Sequence, residues 1–178
     1  MEYSSDEHRH RLSAWAAGRA ASVKGSRFKV GQAKAILEFA GFNSAFCGPD
    51  VLPSPELLDV THRQWRRAVI RAASRYQLRL SHGVAAKLIN CYLKVRFVCS
   101  LNEADDRVMT LHPPIDRVLL SELANKNIGG FEVEWRNFMQ LGWSNFDSKT
   151  YENVIARIRL SIPGQPLWKI EQYWKGHQ

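Results

Sequence analysis

The sequence predicts an all-α fold, and three observations lead to that prediction. Apolar residues recur at three- and four-residue steps from one end of the chain to the other, and the alternation typical of strands is nearly missing. Glycine, proline and capping side chains separate the periodic stretches. The chain has 178 residues, 45% of them hydrophobic and 24% charged, as in an ordinary folded domain. We therefore expect one compact, two-lobed domain of about eight helices over residues 1–178.

The first two predicted helices are Glu7–Val23 and Gly31–Ala40. The first is indicated by residues at helical spacing, namely Leu12, Trp15, Ala16 and Arg19. It ends at a break over residues 24–26. Gly41 stops the second helix, because glycine readily adopts the left-handed conformation found at helix C-termini. Residues 41–53 are rich in turn-forming side chains and are predicted to be a loop.

A third helix is predicted from Pro55 to about Tyr76, because Ser54 suits the N-cap and proline suits the first helical position. The residues expected to face inward are Leu58, Trp65, Val69, Ala72 and Tyr76. A tight turn at residues 80–83 then leads into an apolar fourth helix, Val84–Cys99.

Shorter helices are predicted in the second half of the chain, after a polar loop at Ser100–Thr110. Asp116 can cap the first of them, and glycine and proline pairs separate those that follow. The predicted ranges are Arg117–Asn125, Glu132–Leu141, Asp147–Leu160 and Pro166–Trp174.

Positive charge is concentrated in the first half of the chain. Of the formal net charge of +8, residues 1–100 carry 16 basic and 7 acidic side chains, whereas residues 101–178 carry 9 and 10. Arg63, Arg67, Arg71 and Arg75 recur every fourth residue of the third helix without an interleaved acid. Because like charges in such a row repel one another, the row favours an anionic partner over a merely solvated surface.

Several classes of protein are excluded. No apolar run reaches the length of a membrane-spanning helix, and the mixed-charge N-terminus is neither a signal nor a transit peptide. Cys47, Cys91 and Cys99 contain no CxxC pair, which excludes a four-thiolate zinc site or iron–sulfur cluster and favours reduced thiols. We expect a cytoplasmic protein, nucleoid-associated in a bacterium, that needs no metal or cofactor.

Lys87 is the first candidate functional residue. It lies in the first turn of the apolar fourth helix, where the helix dipole and burial both disfavour an ammonium, and a neutral amine can act as a nucleophile. An exposed lysine whose stem covers apolar surface is the alternative. The backbone amides of Gly83, Val84 and Ala85 are expected to point outward at the start of that helix, as in a phosphate-binding site.

The segment Gly83-Val84-Ala85-x-Lys87, followed by Pro114-Ile115-Asp116 before a later helix, resembles the helix–hairpin–helix DNA glycosylases, especially the 8-oxoguanine glycosylase/lyase branch. The resemblance covers about residues 78–119. It implies that Lys87 attacks C1′ of the damaged nucleotide and that Asp116 stabilises the developing positive charge. It also implies that Cys91, four residues after the lysine, lines the pocket of the extruded base.

The sequence departs from the family in two places. One glycine of the usual hairpin is replaced by Ala85, which loosens the expected phosphate clamp. The interval from Lys87 to Asp116 is 29 residues, longer than in most members. Asp116 also has a purely structural alternative as an N-cap. Trp168, in a C-terminal aromatic cluster with Tyr173 and Trp174, is either core or a ring that stacks on the extruded base.

We expect a monomeric DNA glycosylase with AP lyase activity that acts on duplex DNA containing a modified base. Lys87 and Asp116 would carry the chemistry, while Arg63, Arg67 and Arg71 would contact phosphates together with the hairpin amides. Lys94, two turns further along the helix, is expected to lie away from the cleft. The alternatives are a non-catalytic nucleic-acid binder of the same fold, for example in defence against foreign DNA, and a helical protein-interaction module.

Overall fold

A computed structural model of the chain describes residues 3–29, 31–100 and 104–176, and these residues form helices and connecting turns without a β-sheet. The α-helices are α1 (Ser5–Ala21), α2 (Gln32–Phe39), α3 (Leu58–Ser74), α4 (His82–Leu93), α5 (Asp106–Met109), α6 (Arg117–Asn125), α7 (Glu132–Leu141) and α8 (Ser148–Ser161). Short 3-10 helices occur at Pro49–Val51, Pro55–Leu57, Ile128–Gly130 and Trp143–Asn145, and a longer one at Leu167–Tyr173. The all-α prediction is confirmed.

The ends of several elements differ from the prediction. α4 begins at His82 rather than Val84, because the Ser81 hydroxyl accepts the Val84 N–H and caps the helix earlier. A π-helical turn, Lys94–Val98, follows α4 where the sequence predicts a continuous α-helix. The predicted polar loop at Ser100–Thr110 contains the short helix α5, and its residues 101–103 lie outside the described part of the chain.

Two hydrophobic cores give the domain its two lobes. The first combines α1 to α5, with Ile36, Val69 and Leu88 at its centre, and the second combines α6 to α8 with the C-terminal 3-10 helix. α4 belongs to both, because Leu88 packs in the first core and Ala86 in the second. Every residue from Gly83 to Leu93 is buried, so α4 runs through the seam between the lobes.

The buried face of α1 consists mostly of small residues, among them Ala14, Ala17 and Ala21. Leu12 and Trp15, which mark the helical spacing in the sequence, are 49% and 64% exposed. The two large residues lie on the opposite side of α1 from this buried face. The buried face itself needs small residues where α2 approaches, since a Cβ placed on Gly18 would lie 2.6 Å from the Cβ of Ala33.

In the described ranges, none of the helices is both long and apolar enough to cross a lipid bilayer.

Candidate active site

Lys87 and Asp116 meet in the seam between the lobes. Lys87 Nζ lies 2.9 Å from Asp116 Oδ2, and the two side chains are only 7% and 18% exposed. Asp116 is also the N-cap of α6, since its Oδ1 accepts the Leu119 N–H at 2.9 Å. One carboxylate therefore fills the structural role and also faces the lysine, with one oxygen for each.

Aromatic rings surround this pair. The Trp174 indole N–H donates to Asp116 Oδ2 at 2.9 Å, and the Trp143 ring centre lies 5.9 Å from Lys87 Nζ. A second ion pair, between Lys94 and Glu171, lies near the same indole, with Lys94 Nζ 5.7 Å from the Trp174 ring centre. Trp174 is thus close to one member of each ion pair, Asp116 and Lys94.

A cavity of about 630 Å³ lies beside the second ion pair. Lys94 and Glu171 line it together with Trp168, whose indole nitrogen is buried and has no hydrogen-bond partner in the described chain. Burial raises the pKa of Glu171, and the positive charge of Lys94 opposes that rise. Gln165 and Gln172 add amide groups to the lining, so a ligand would meet an aromatic ring and several hydrogen-bonding groups.

The structure brings together some of the predicted site residues and separates others. Lys87 and Asp116 are in contact, and Trp168 lines the neighbouring cavity. Cys91 is 9% exposed and does not line that cavity, so its expected pocket role is not met there; burial raises the pKa of its thiol to about 11. Lys94 lines this cavity, whereas Lys87 and Asp116 do not, so the expectation that Lys94 lies away from the cleft at Lys87 stays a prediction.

The backbone amides of the predicted phosphate clamp, at the start of α4, already donate hydrogen bonds to acceptors within the protein. The Gly83 N–H donates to the Phe146 carbonyl at 3.0 Å, while the amides of Val84 and Ala85 donate to Ser81. A Cβ on Gly83 would overlap the carbonyl oxygen of Trp143, so this glycine is needed for the close approach of residues 143–146. The prediction that these three amides point outward is wrong for this structure.

The arginine row of α3 is only partly open to an anion. Arg63 donates two hydrogen bonds, of 2.9 and 2.7 Å, to the Glu152 carboxylate on α8. Arg75 lies over the Phe39 ring at 4.4 Å. Arg67 and Arg71 are exposed and form no ion pair with any described residue. Arg63 is thus part of the contact between the lobes, whereas Arg67 and Arg71 remain available for phosphate.

A buried polar network centred on Asn90 links α3, α4 and α8. The Asn90 amide group donates to the Pro113 carbonyl and to the Tyr151 hydroxyl, each at 2.9 Å. Its oxygen lies 2.8 Å from His62 Nε2. Because Pro113 precedes Asp116 by three residues and Asn90 follows Lys87 by three, this network holds the aspartate segment against the lysine helix.

Charged groups extend the network to the surface. The His112 ring bridges Tyr151 and Asp59, at 3.0 and 2.9 Å, and Arg159 pairs with the same Asp59. Hydrogen bonds from His112, then from Arg159, hold the pKa of Asp59 well below its ordinary range. Burial lowers the pKa of His112, which fits a neutral ring donating from Nε2.

Arg66 is the other buried charge of the network, at 1% exposure. Its guanidinium donates to Glu152 at 2.7 Å and to Ser148 at 3.0 Å, and lies 4.4 Å from the Tyr151 ring centre.

Among the residues that the structure describes, no group of three or more His, Cys, Asp or Glu side chains is arranged to hold a metal ion.

Sequence reasoning missed this network, although part of its signal was present. His62 and Arg66 fall on the same helical stripe as Leu58 and Val69, which the sequence already places inward. A histidine and an arginine on an apolar stripe indicate buried partners on another element. The partners themselves, Tyr151 and Glu152, lie more than 80 residues further along the chain and could not be paired by spacing.

No protein-family model, curated protein or solved structure matches this chain. The geometry of the seam is therefore the observation that bears on function.

Glu152 predicts part of the acid sensitivity of the fold. Hydrogen bonds, first from Arg63, lower its pKa from an ordinary value of 4.5 to about 2, so its stabilising contribution is present above pH 4.5 and is lost as the pH falls toward 2. Between about pH 5 and pH 3, urea denaturation should show the wild type losing about 1 kcal/mol more than Glu152→Gln, allowing for solvent screening.

The matched control is Glu134→Gln, since Glu134 lies on the surface 3.8 Å from Arg157. Its pH profile should follow the wild type. If Glu152→Gln also follows the wild type, the Arg63 and Arg66 pairs contribute nothing to folding that depends on the charge of Glu152.

Proposed function

We propose that this protein is a DNA glycosylase with lyase activity, which removes a modified base through a covalent bond to Lys87. The contact between Lys87 Nζ and Asp116 Oδ2, at 2.9 Å in a buried seam, carries the proposal. An amine held against a carboxylate in a buried seam is equipped for nucleophilic substitution and proton transfer. The resemblance of residues 78–119 to the helix–hairpin–helix DNA glycosylases supports the same assignment.

The proposed reaction begins with proton transfer from Lys87 Nζ to the Asp116 carboxylate along their hydrogen bond. The nitrogen lone pair attacks C1′ while the bond from C1′ to the base breaks, and the base leaves with that electron pair and takes a proton from Asp116. Asp116 regains its negative charge as it protonates the leaving base, and that charge then stabilises the positive charge on the nitrogen bound to C1′. Opening of the sugar ring moves a proton from Nζ to O4′ and gives a protonated Schiff base. Transfer of a C2′ proton to Asp116 and departure of the 3′ phosphate with its electron pair then cleave the strand.

The cavity beside Glu171 supports a flat heterocyclic substrate. Its volume of about 630 Å³ is larger than one base requires, and the Trp168 ring forms part of its lining. Glu171 can accept hydrogen bonds from base N–H groups, and Lys94 can donate to base carbonyls. 8-Oxoguanine is the first base to test, because the family resemblance implies it.

A second candidate function is a nucleic-acid binder without the chemistry. It is favoured by the internal engagement of the groups that catalysis needs: Lys87 is bonded to Asp116, and the amides of residues 83–85 donate to acceptors within the protein. In this case Arg67 and Arg71 would still bind phosphate.

Borohydride trapping tests the covalent bond. With a panel of duplexes that each carry one modified base, the wild type should give a stable crosslink, and Lys87→Gln should reduce its yield at least 100-fold because no amine remains to form the imine. Denaturing electrophoresis measures the yield. Lys94→Gln, at the start of the π-helical turn that follows α4, is the control; its amide can still donate to a base carbonyl, and it should retain the crosslink. Loss of the crosslink only in Lys94→Gln would move the nucleophile to Lys94, and no crosslink on any duplex would favour the binder.

Asp116→Asn tests the carboxylate. The amide keeps an oxygen for the Leu119 cap but loses the charge opposite Lys87, so single-turnover excision should fall by about 100-fold. Folding stability should also fall, by about 1–3 kcal/mol, because Lys87 is left buried without its partner. Asp116→Glu, which keeps the charge, should excise faster than Asp116→Asn at equal folded fraction. Equal rates in the two variants would leave Asp116 only a structural role.

The exposed arginines of α3 predict how duplex binding depends on salt. Arg67→Ala and Arg71→Ala should each weaken binding to all sequences alike and lower the slope of log K against log salt by about one. Arg63→Ala should instead mainly lower folding stability, because Arg63 is paired with Glu152. Fluorescence anisotropy with an undamaged duplex measures the slopes. An unchanged slope in the Arg67/Arg71 double variant would place the duplex elsewhere.

A further inference from the structure

A groove of about 300 Å³ lies between α1, α2 and the loop that joins them, and it shares no residue with the Lys87 site or the α3 arginines. We call it the Trp15 groove. Its walls carry the indole of Trp15, which is 64% exposed, and the partly buried ring of Phe28. Gly18 and Ala33 form part of its lining, where the two helices approach most closely. The groove therefore presents an open aromatic surface beside small residues.

The charge around the Trp15 groove is strongly positive. Of the cations that line it, Arg11 pairs with Glu7 and Lys34 with Glu38, whereas Arg19 and Lys29 pair with no acidic residue of the described chain. From the start of α1 to the end of α2, residues 5–39 carry seven basic and three acidic side chains. An uncompensated pair of cations beside an exposed indole favours an anionic ligand that also has a flat face.

We propose that the Trp15 groove binds single-stranded nucleic acid, with one base stacked on Trp15 and the neighbouring phosphates contacted by Arg19 and Lys29. A cationic groove with an aromatic platform is the usual design for binding single strands. A duplex does not fit such a groove, because the faces of its paired bases are already stacked on one another. An acidic peptide would engage the cations but has no ring for the indole. The groove would thus hold an unpaired strand, separately from duplex binding at α3.

The first test measures the affinity for a labelled oligothymidylate of about ten nucleotides by fluorescence anisotropy. Trp15→Ala should weaken binding about tenfold, since the stacking surface is removed. Arg19→Ala and Lys29→Ala should each lower the salt slope by about 0.7. Leu12→Ala is the matched control, because Leu12 lies one turn before Trp15, is 49% exposed and does not line the groove. Its affinity should equal that of the wild type.

A second measurement reports stacking directly. Oligothymidylate should quench the intrinsic tryptophan fluorescence of the wild type, and Trp15→Phe should lose that quenching while keeping most of the affinity. Unchanged affinity in Trp15→Ala, or equal competition by polyglutamate, would overturn the proposal. Formation of a concentration-dependent dimer that Trp15→Ala abolishes would also overturn the proposal, because the groove would then hold a second copy of the chain.

The test of the Trp15 groove and the test of the glycosylase proposal can fail independently of one another. Lys87→Gln should bind oligothymidylate like the wild type, and Trp15→Ala should give the wild-type yield of borohydride crosslink on a lesion-containing duplex. Failure of trapping therefore leaves the Trp15 groove untouched, and failure of oligothymidylate binding leaves the Lys87 site untouched.

Discussion

The complete burial of α4 is the constraint on which the rest of the structure depends. A helix enclosed from Gly83 to Leu93 can contact both lobes only if its polar side chains find partners inside the protein, because an unpaired buried charge or amide is costly. Lys87 finds Asp116, and Asn90 finds His62, Pro113 and Tyr151. These partners come from both lobes, so the arrangement of the lobes follows from the need to pair the buried polar side chains of α4.

The same constraint sets the geometry of the candidate site. Two links join α4 to the segment before α6: Asn90 to the Pro113 carbonyl, and Lys87 to Asp116. Each link is three residues from the other on both segments, and Asp116 is fixed again by capping α6. The carboxylate is thus positioned by backbone and by a buried amide rather than by the lysine. Such preorganisation is what a nucleophile and its proton acceptor need.

Local sequence signals located most of the helices, because caps and breakers mark their ends, but they missed α5 and the π-helical turn. The resemblance of one short motif singled out Lys87 and Asp116. These local signals failed wherever contacts between distant segments determine the structure. The Gly83 amide is engaged by the distant Phe146 carbonyl, which no local pattern reveals, whereas Ser81 engages the amides of Val84 and Ala85. Trp15 marks the helical period of α1 yet faces outward, because the face that packs on the rest of the protein is the one with Ala14, Ala17 and Gly18. Arg63 meets its acidic partner 89 residues away.

Pairing in three dimensions also redistributes the positive charge that the sequence shows. Arg63 and Arg66 both pair with Glu152 of the second lobe, so they link the two lobes. Arg67 and Arg71 on α3 and Arg19 and Lys29 at the Trp15 groove belong to the first lobe and form no ion pair with a described acidic residue. The second lobe supplies Asp116 and most of the cavity lining. Under the proposed function, the first lobe would hold the polyanion, and a base would have to cross the seam to reach the second.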